Sequence, residues 1–367
     1  MRGIRGWSRP FLASAATAAI VVGGGALMPS TAATAAGLSR SGSYTVHNLV
    51  SDQAGPAEIQ DGRLLNAFGL SSSDTSSIWV SDNHTGLATT YSGAIDGSPV
   101  TQDKTTVEIP DGSPTGQVFN TTKDFGLSPD HSNAAIFLFA TEGGHISGWN
   151  PHVDPTHAIN KVSASDAIYK GLTLASTPSG SRLYATNFSE ARIDVFDGMF
   201  MPVHLGSHAF SDPFIPRGFA PFNVQAIGDR IFVSFAEQNA EKEDEIDGQG
   251  LGFVDAFTTD GALVYRVFPH EVLNAPWGMV MAPQNFGRFG GALLVGNFGN
   301  GLIHAFDPRT GVLLGSLHDS SGGHVQIGRL WALRVGNNNF GGTDAVVFSA
   351  GPGDEEHGLI GTLTPGT

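Results

Sequence analysis

The densest reactive group in the sequence is Asp354-Glu355-Glu356-His357, three carboxylates followed by an imidazole. Such a set can take up and release protons near neutrality. His357 and Glu356 are therefore the leading acid–base candidates, with His145 as a third. There are 13 histidines, yet no pair has the His-Glu-x-x-His spacing that sets two imidazoles on one metal. Cysteine is absent, which excludes disulfides, thiolate nucleophiles and Cys-bound zinc. No Gly-x-Ser-x-Gly elbow, phosphate-binding loop or dinucleotide fingerprint occurs.

A second set of candidates recurs along the chain. Asn83, Glu142, Asn187, Glu237, Asn297 and Gly351 each end or follow a short apolar run, and Asn66 and Asn274 precede other such runs. Carboxylate and amide oxygens are the donors Ca²⁺ takes, six to eight at a time. Glu142 and Glu237 are the candidate metal ligands; Asn83, Asn187, Asn274 and Asn297 are the candidate ligand-binding amides. The same residue types before glycine also satisfy a turn by local hydrogen bonding, as in Asn83-His84-Thr85-Gly86 and Glu142-Gly143-Gly144. Between Gln238 and Gly250 lies an insertion with Glu241, Glu243, Asp244, Glu245 and Asp247. It lacks the alternating ligands of an EF-hand. It reads as a solvated acidic loop, or as a lid or weak Ca²⁺ site beside a binding mouth.

The elements that position these residues are repeats. Apolar, β-rich runs start at Ile78, Ile136, Leu183, Ile231, Leu293 and Val346, spaced 58, 47, 48, 62 and 53 residues apart. Each is followed by a polar hairpin and a partner run: Ala88 to Tyr91, His145 to Trp149, Ile193 to Phe196, Phe253 to Phe257, Leu302 to Phe306 and Gly358 to Leu363. Upstream recurs a third element, seen in Phe68-Gly69-Leu70, Lys170-Gly171-Leu172 and Trp277-Gly278-Met279, with Phe222-Asn223-Val224 and Trp331-Ala332-Leu333 as variants. A period near 50 residues with four short strands is that of one propeller blade. The sequence therefore predicts an all-β, six-bladed β-propeller. In the second blade Pro114 to Val118 and Phe125-Gly126-Leu127 compete as innermost strand, and the match to Pro276-Trp277-Gly278-Met279-Val280 favours the first. The sixth copy has three strands. Tyr44 to Val50 alternates without a blade of its own, so it is expected to pair with the last blade and close the ring, removing exposed sheet edges. In such a ring the loops entering the innermost strands and the second-to-third-strand hairpins share one face, which collects the Asn and Glu positions at one mouth.

These residues resemble a family of secreted, uncharacterised bacterial six-bladed propellers, distantly similar to NHL-repeat and SMP-30/gluconolactonase-like propellers. The resemblance covers nearly all of the mature chain. It is carried by Asn48-Leu49-Val50-Ser51-Asp52, Trp79-Val80-Ser81-Asp82-Asn83, Gly148-Trp149-Asn150-Pro151, Tyr169-Lys170-Gly171-Leu172, Ala220-Pro221-Phe222-Asn223-Val224-Gln225, Leu273-Asn274-Ala275-Pro276-Trp277-Gly278, Leu294-Val295-Gly296-Asn297-Phe298-Gly299, Gly351-Pro352 and His357-Gly358. The resemblance implies the fold and no assigned activity. For the gluconolactonase-like propellers it implies Glu, Asn and Asp around a Ca²⁺ ion.

Arg2, Arg5 and Arg9 precede an apolar stretch from Phe11 to Leu27 and a small-residue run through Ala36. This reads as a Sec signal peptide over residues 1–36, leaving 37–367 as a single propeller domain of a secreted protein. Removing it shifts the formal charge from −15 to −18, 16 Lys and Arg against 34 Asp and Glu. An acidic surface disfavours nucleic acid. No other segment reads as a membrane span, and a monomer is expected. The function that follows is binding of a small molecule, glycan or peptide at one mouth, organised by Ca²⁺ if an ion is held. Alternatives are a metal-dependent hydrolase or lyase of lactonase type, with Glu142 or Glu237 and Asn187 or Asn297 on the ion and His357 or His145 moving protons, and a cell-surface scaffold.

Overall fold

The computed structural model describes residues 42–366; the expected signal segment lies outside the described residues. Six sheets follow one another in chain order. Blade I is Ala67–Ser71, Ile78–Asp82, Leu87–Gly93 and Val100–Glu108. Blade II is Pro114–Phe119, Phe137–Thr141, His145–Trp149 and Ile159–Ser163. Blade III has three strands, Tyr169–Thr177, Gly180–Asn187 and Arg192–Asp197. Blade IV is Phe219–Ile227, Arg230–Gln238, Phe253–Phe257 and Leu263–Arg266. Blade V is Pro276–Met281, Leu293–Asn297, Ile303–Phe306 and Leu313–Ser316. Blade VI is Leu330–Val335, Val346–Ala350 and Leu359–Pro365.

The ring closes as the sequence predicts. Tyr44–Ser51 runs antiparallel to Leu359–Pro365, with Tyr44 opposite Pro365 and Ser51 opposite Leu359. A two-residue strand, Ile59–Gln60, caps its outer edge. In the second blade the innermost strand is Pro114–Phe119; Phe125-Gly126-Leu127 lies in the following loop, where Gly126 bridges to Ala134.

The repeated aromatic–glycine–aliphatic element has a geometric cause. In all six blades the ladder between first and second strands shifts register there, at Ala67/Leu70, Pro114/Gln117, Tyr169/Leu172, Pro221/Asn223, Pro276/Gly278 and Leu330/Leu333. A bulge bends the strand toward the axis, and neighbouring innermost strands then meet backbone to backbone around a closed circle. A Cβ at Gly116 would press into the Gly171 and Leu172 backbone, and one at Gly171 would press into Asn223. Glycine is retained because blades could not approach so closely otherwise.

The aromatic member of the element fills the axis. Phe68, Phe222, Trp277 and Trp331 come from the innermost strands of blades I, IV, V and VI and are buried together with Phe188 and Phe298. The Trp331 ring lies 3.6 Å from that of Phe68, 4.2 Å from Phe298 and 5.9 Å from Trp277, centroid to centroid. Burying such side chains contributes about 1.5–3 kcal/mol each. The plug separates the two mouths of the ring.

Candidate functional site

At the mouth where the innermost strands begin, two residues break the pattern of the plug, Thr115 in blade II and the charged Lys170 in blade III. Lys170 occupies in Lys170-Gly171-Leu172 the place that Phe68 holds in Phe68-Gly69-Leu70. Its side chain is 3% exposed, and its Nζ lies 2.5 Å from Glu142 Oε1 and 3.3 Å from Asp244 Oδ1. Glu142 follows the second strand of blade II, so its carboxylate is delivered by the hairpin at that face. Glu142 Oε2 accepts a hydrogen bond from Asn83 Nδ2 at 3.2 Å. Asn66 Nδ2 in turn donates to Asn83 Oδ1 at 3.3 Å and to Glu355 Oε2 at 2.9 Å, while Asn66 Oδ1 accepts from Trp331 Nε1 at 2.8 Å. One network thus runs from blade III through blades II and I to blade VI and rests on the aromatic plug.

The acidic insertion of blade IV completes the mouth. Glu245–Ile246 pairs antiparallel with Glu237–Gln238, so the insertion turns back as a hairpin. Asp244 meets Lys170, Asp247 Oδ2 lies 3.3 Å from Arg329 Nη1, and Gly248 N donates to Asn274 Oδ1 at 2.7 Å. Arg329 also pairs with Asp354 at 2.8 Å. The insertion is a strap tied to blades III, V and VI.

Burial sets the electrostatics and the partners divide it. Burial opposes ionisation of Glu142, but Lys170 and the Asn83 amide outweigh it and hold the carboxyl below its ordinary range. For Lys170, burial disfavours the ammonium, but Glu142, Glu245 and Asp244 raise its pKa above the ordinary lysine value. Glu245 has no such match: burial, with Glu355 and Asp244 adding to it against Lys170, pushes it up to about 8. Glu355 is raised mainly by burial. The mouth therefore holds a fixed ion pair, a carboxyl that keeps its proton at neutral pH, and an excess of acid over base.

Several residues singled out from the sequence lie elsewhere. His357 Nδ1 is 2.8 Å from Asp52 Oδ2, and Gly358 N donates to Asp52 Oδ1 at 2.9 Å, at the seam between the last blade and the closing strand. Glu356 is exposed, whereas its neighbour Glu355 enters the mouth. His145 sits on blade II with Ser163 Oγ at 2.9 Å and Asp111 at 3.4 Å. No hydrogen bond or ion pair joins His357, Glu356 or His145 to Lys170 or Glu142. Asn187 donates to Asp194 at 2.9 Å and accepts from Ser189 Oγ and Glu190 N, which is turn chemistry. Asn297 donates to Val272 O, in the turn that precedes blade V, and to Asn300 Oδ1 within its own hairpin. Of the four amides, Asn83 is in the network and Asn274 anchors the strap.

The expected Ca²⁺ ligands do not fit an ion as they stand. Both oxygens of Glu142 are engaged by Lys170 and Asn83. Glu237, on the second strand of blade IV, shares no hydrogen bond with Glu142. Among the described residues no three His, Cys, Asp or Glu side chains converge as a metal group. The ammonium of Lys170 supplies the positive charge at the centre of the oxygen set. Lys170, Glu245 and Glu355 were not among the leading candidates; the signal for Lys170 was a charged residue where the repeat calls for an aromatic.

No protein-family model matches the chain. Uncharacterized protein L690 of Acanthamoeba polyphaga mimivirus is 30% identical over 336 residues, covering 87% of this chain and 85% of that protein. The chain belongs to one family with that mimivirus protein. The chain is also similar to uncharacterized protein R648 of the same virus, 29% identical over 333 residues, 87% of this chain and 80% of that protein. Among solved structures, a protein of unknown function from Bacteroides thetaiotaomicron VPI-5482 superposes with a TM-score of 0.53 at 9% identity, covering 88% of this chain and 76% of that one. That likeness concerns the fold alone.

Proposed function

We propose that this chain is an exported propeller that binds a small molecule or peptide bearing a cationic group at the Lys170 mouth. The observation that supports this reading is the charge balance: Glu142, Asp244, Glu245 and Glu355 surround a single buried ammonium whose bonds are already made. A cation arriving there meets surplus carboxylate, preorganised by Asn66 and Asn83, in surroundings that strengthen each charge interaction. Among the described residues no helix is long and apolar enough to cross a membrane.

Calorimetric titration with spermidine and with a tri-lysine peptide tests it, with glutamate tripeptide as the matched anion. The cationic probes bind and the anion does not, and Glu355→Gln weakens the former several-fold; equal binding of both signs would overturn the reading. A second reading is supported by Glu245, whose carboxyl is held protonated up to about pH 8 and so can act as a general acid in a hydrolase or lyase of lactonase type. Turnover of lactones or esters that is lost in Glu245→Gln would favour it.

A further inference from the structure

The opposite mouth, where the innermost strands end, encloses a cavity of about 700 Å³ to which all six blades contribute. That is within the usual range for small-molecule sites, about 300–1,000 Å³. Leu70, Leu172, Met279 and Leu333 form an apolar wall, and each stands two residues beyond the position whose side chain faces the plug or the Lys170 network. The axis passes from charged mouth to plug to a chamber in which these apolar side chains stand beside Ser72, Gln117, Asn223 and Arg334.

Three polar groups in this lining lack the partners their burial calls for. Arg334 donates from Nε to Ser72 Oγ at 2.9 Å and from Nη2 to Ser72 O. Among the described residues it has no carboxylate within ion-pair distance; Asp74, on the cavity rim, acts on it only at longer range. Burial lowers this guanidinium to about 10. Gln117 is 6% exposed, and its Nε2 is fixed by Gly69 O at 2.8 Å and Trp79 O at 3.1 Å, which leaves Oε1 buried with no donor. Trp277 is 4% exposed and its Nε1 likewise has no acceptor. A buried polar group without a partner costs about 1–3 kcal/mol. A guanidinium without a carboxylate partner, lining a chamber of this size beside these two groups, indicates an occupant that brings the counter-charge.

We propose that this chamber is a second site, which binds a small organic anion of aryl- or alkyl-carboxylate type, its carboxylate on Arg334 and its apolar body against Leu70, Leu172, Met279 and Leu333. The bidentate fork of arginine matches a carboxylate in shape and charge. The site is independent of the Lys170 mouth, from which the aromatic plug separates it.

The test is calorimetric titration of the whole protein with 4-phenylbutyrate and, as its neutral match, 4-phenylbutanol at low ionic strength. The acid binds at least tenfold more tightly than the alcohol. Arg334→Met removes that preference, Arg334→Lys keeps part of it, Leu172→Trp fills the chamber and abolishes binding of both, and Glu355→Gln at the far mouth changes neither. Equal affinity for acid and alcohol, no binding of the acid, or an undiminished preference in Arg334→Met would overturn the assignment. Should Arg334→Met fail to fold, Arg334→Lys and Leu172→Trp decide it on the same readout.

Discussion

Lys170 and Leu172 are two residues apart on one strand, yet they stand in opposite chemistries. Around Lys170 the hairpins of blades I, II and VI and the strap of blade IV bring amides and carboxylates into one hydrogen-bonded network. Around Leu172 the other innermost strands present Leu70, Met279 and Leu333 and a single guanidinium. The strands are common to both mouths; the loops differ. Each ring end is therefore specified separately, and the plug of Phe68, Phe222, Trp277 and Trp331 keeps them apart.

Four changes and one control break or sharpen this contrast. The largest effect falls on the partition itself. Trp331→Ala removes the ring that stacks on Phe68 and the indole donor to Asn66, and chemical denaturation should show a loss of about 3–5 kcal/mol. Next, Lys170→Met leaves Glu142 without its counter-ion. A loss of about 3 kcal/mol is expected at pH 7.5, shrinking toward pH 4.5 as the carboxylates take up protons. Leu172→Ala is its control at the other end, with a loss of about 2–3 kcal/mol that is the same at both pH values; a pH-dependent loss there would mean the mouths are electrostatically coupled.

The third concerns Glu245. Its pKa is raised on folding, from about 4.3 in an unfolded chain to about 8. Its contribution is thus full below about pH 4 and is lost as pH rises through 8. Stability should fall between about pH 5 and pH 8, and Glu245→Gln should flatten that fall. Asp255 in blade IV, pushed up to about 7 by burial, adds a slope of the same sign, so the difference between wild type and Glu245→Gln is the quantity to read. A difference that does not vary with pH would show that Glu245 is solvated. The smallest effect belongs to the strap: Arg329→Ala releases half-exposed pairs to Asp247 and Asp354, costs under about 1 kcal/mol, and shows itself as faster proteolysis near residues 239–248.

Much of the fold was legible because each blade is a local object. Ile78–Asp82 and Leu87–Gly93 are joined by one short hairpin, and their alternation and turn residues are visible within a dozen positions. Ring closure was legible too, since Tyr44–Ser51 had no other sheet to join. The site was legible only in part. Asn83 and Glu142 were found because they end second strands. Glu355 was passed over for Glu356 and His357, because which of four consecutive side chains turns inward depends on the positive φ of Asp354 and Glu355, at 54° and 70°. Asn187 and Asn297 have the same hairpin signature as Asn83 but close their bonds locally, and sequence spacing does not distinguish the two outcomes.

The sequence by itself determined the blade count, the strand order, the glycines that let blades pack at the axis and the segment that seals the ring, since all of these follow from a period and from short-range alternation. Tertiary structure alone decided the site. Lys170 meets Glu142 across 28 positions and Asp244 across 74, and Asn66 meets Glu355 across 289. Such partners share no local pattern; they are neighbours because the ring brings its ends together, and burial then turns an isolated lysine in a strand into the centre of a charged mouth.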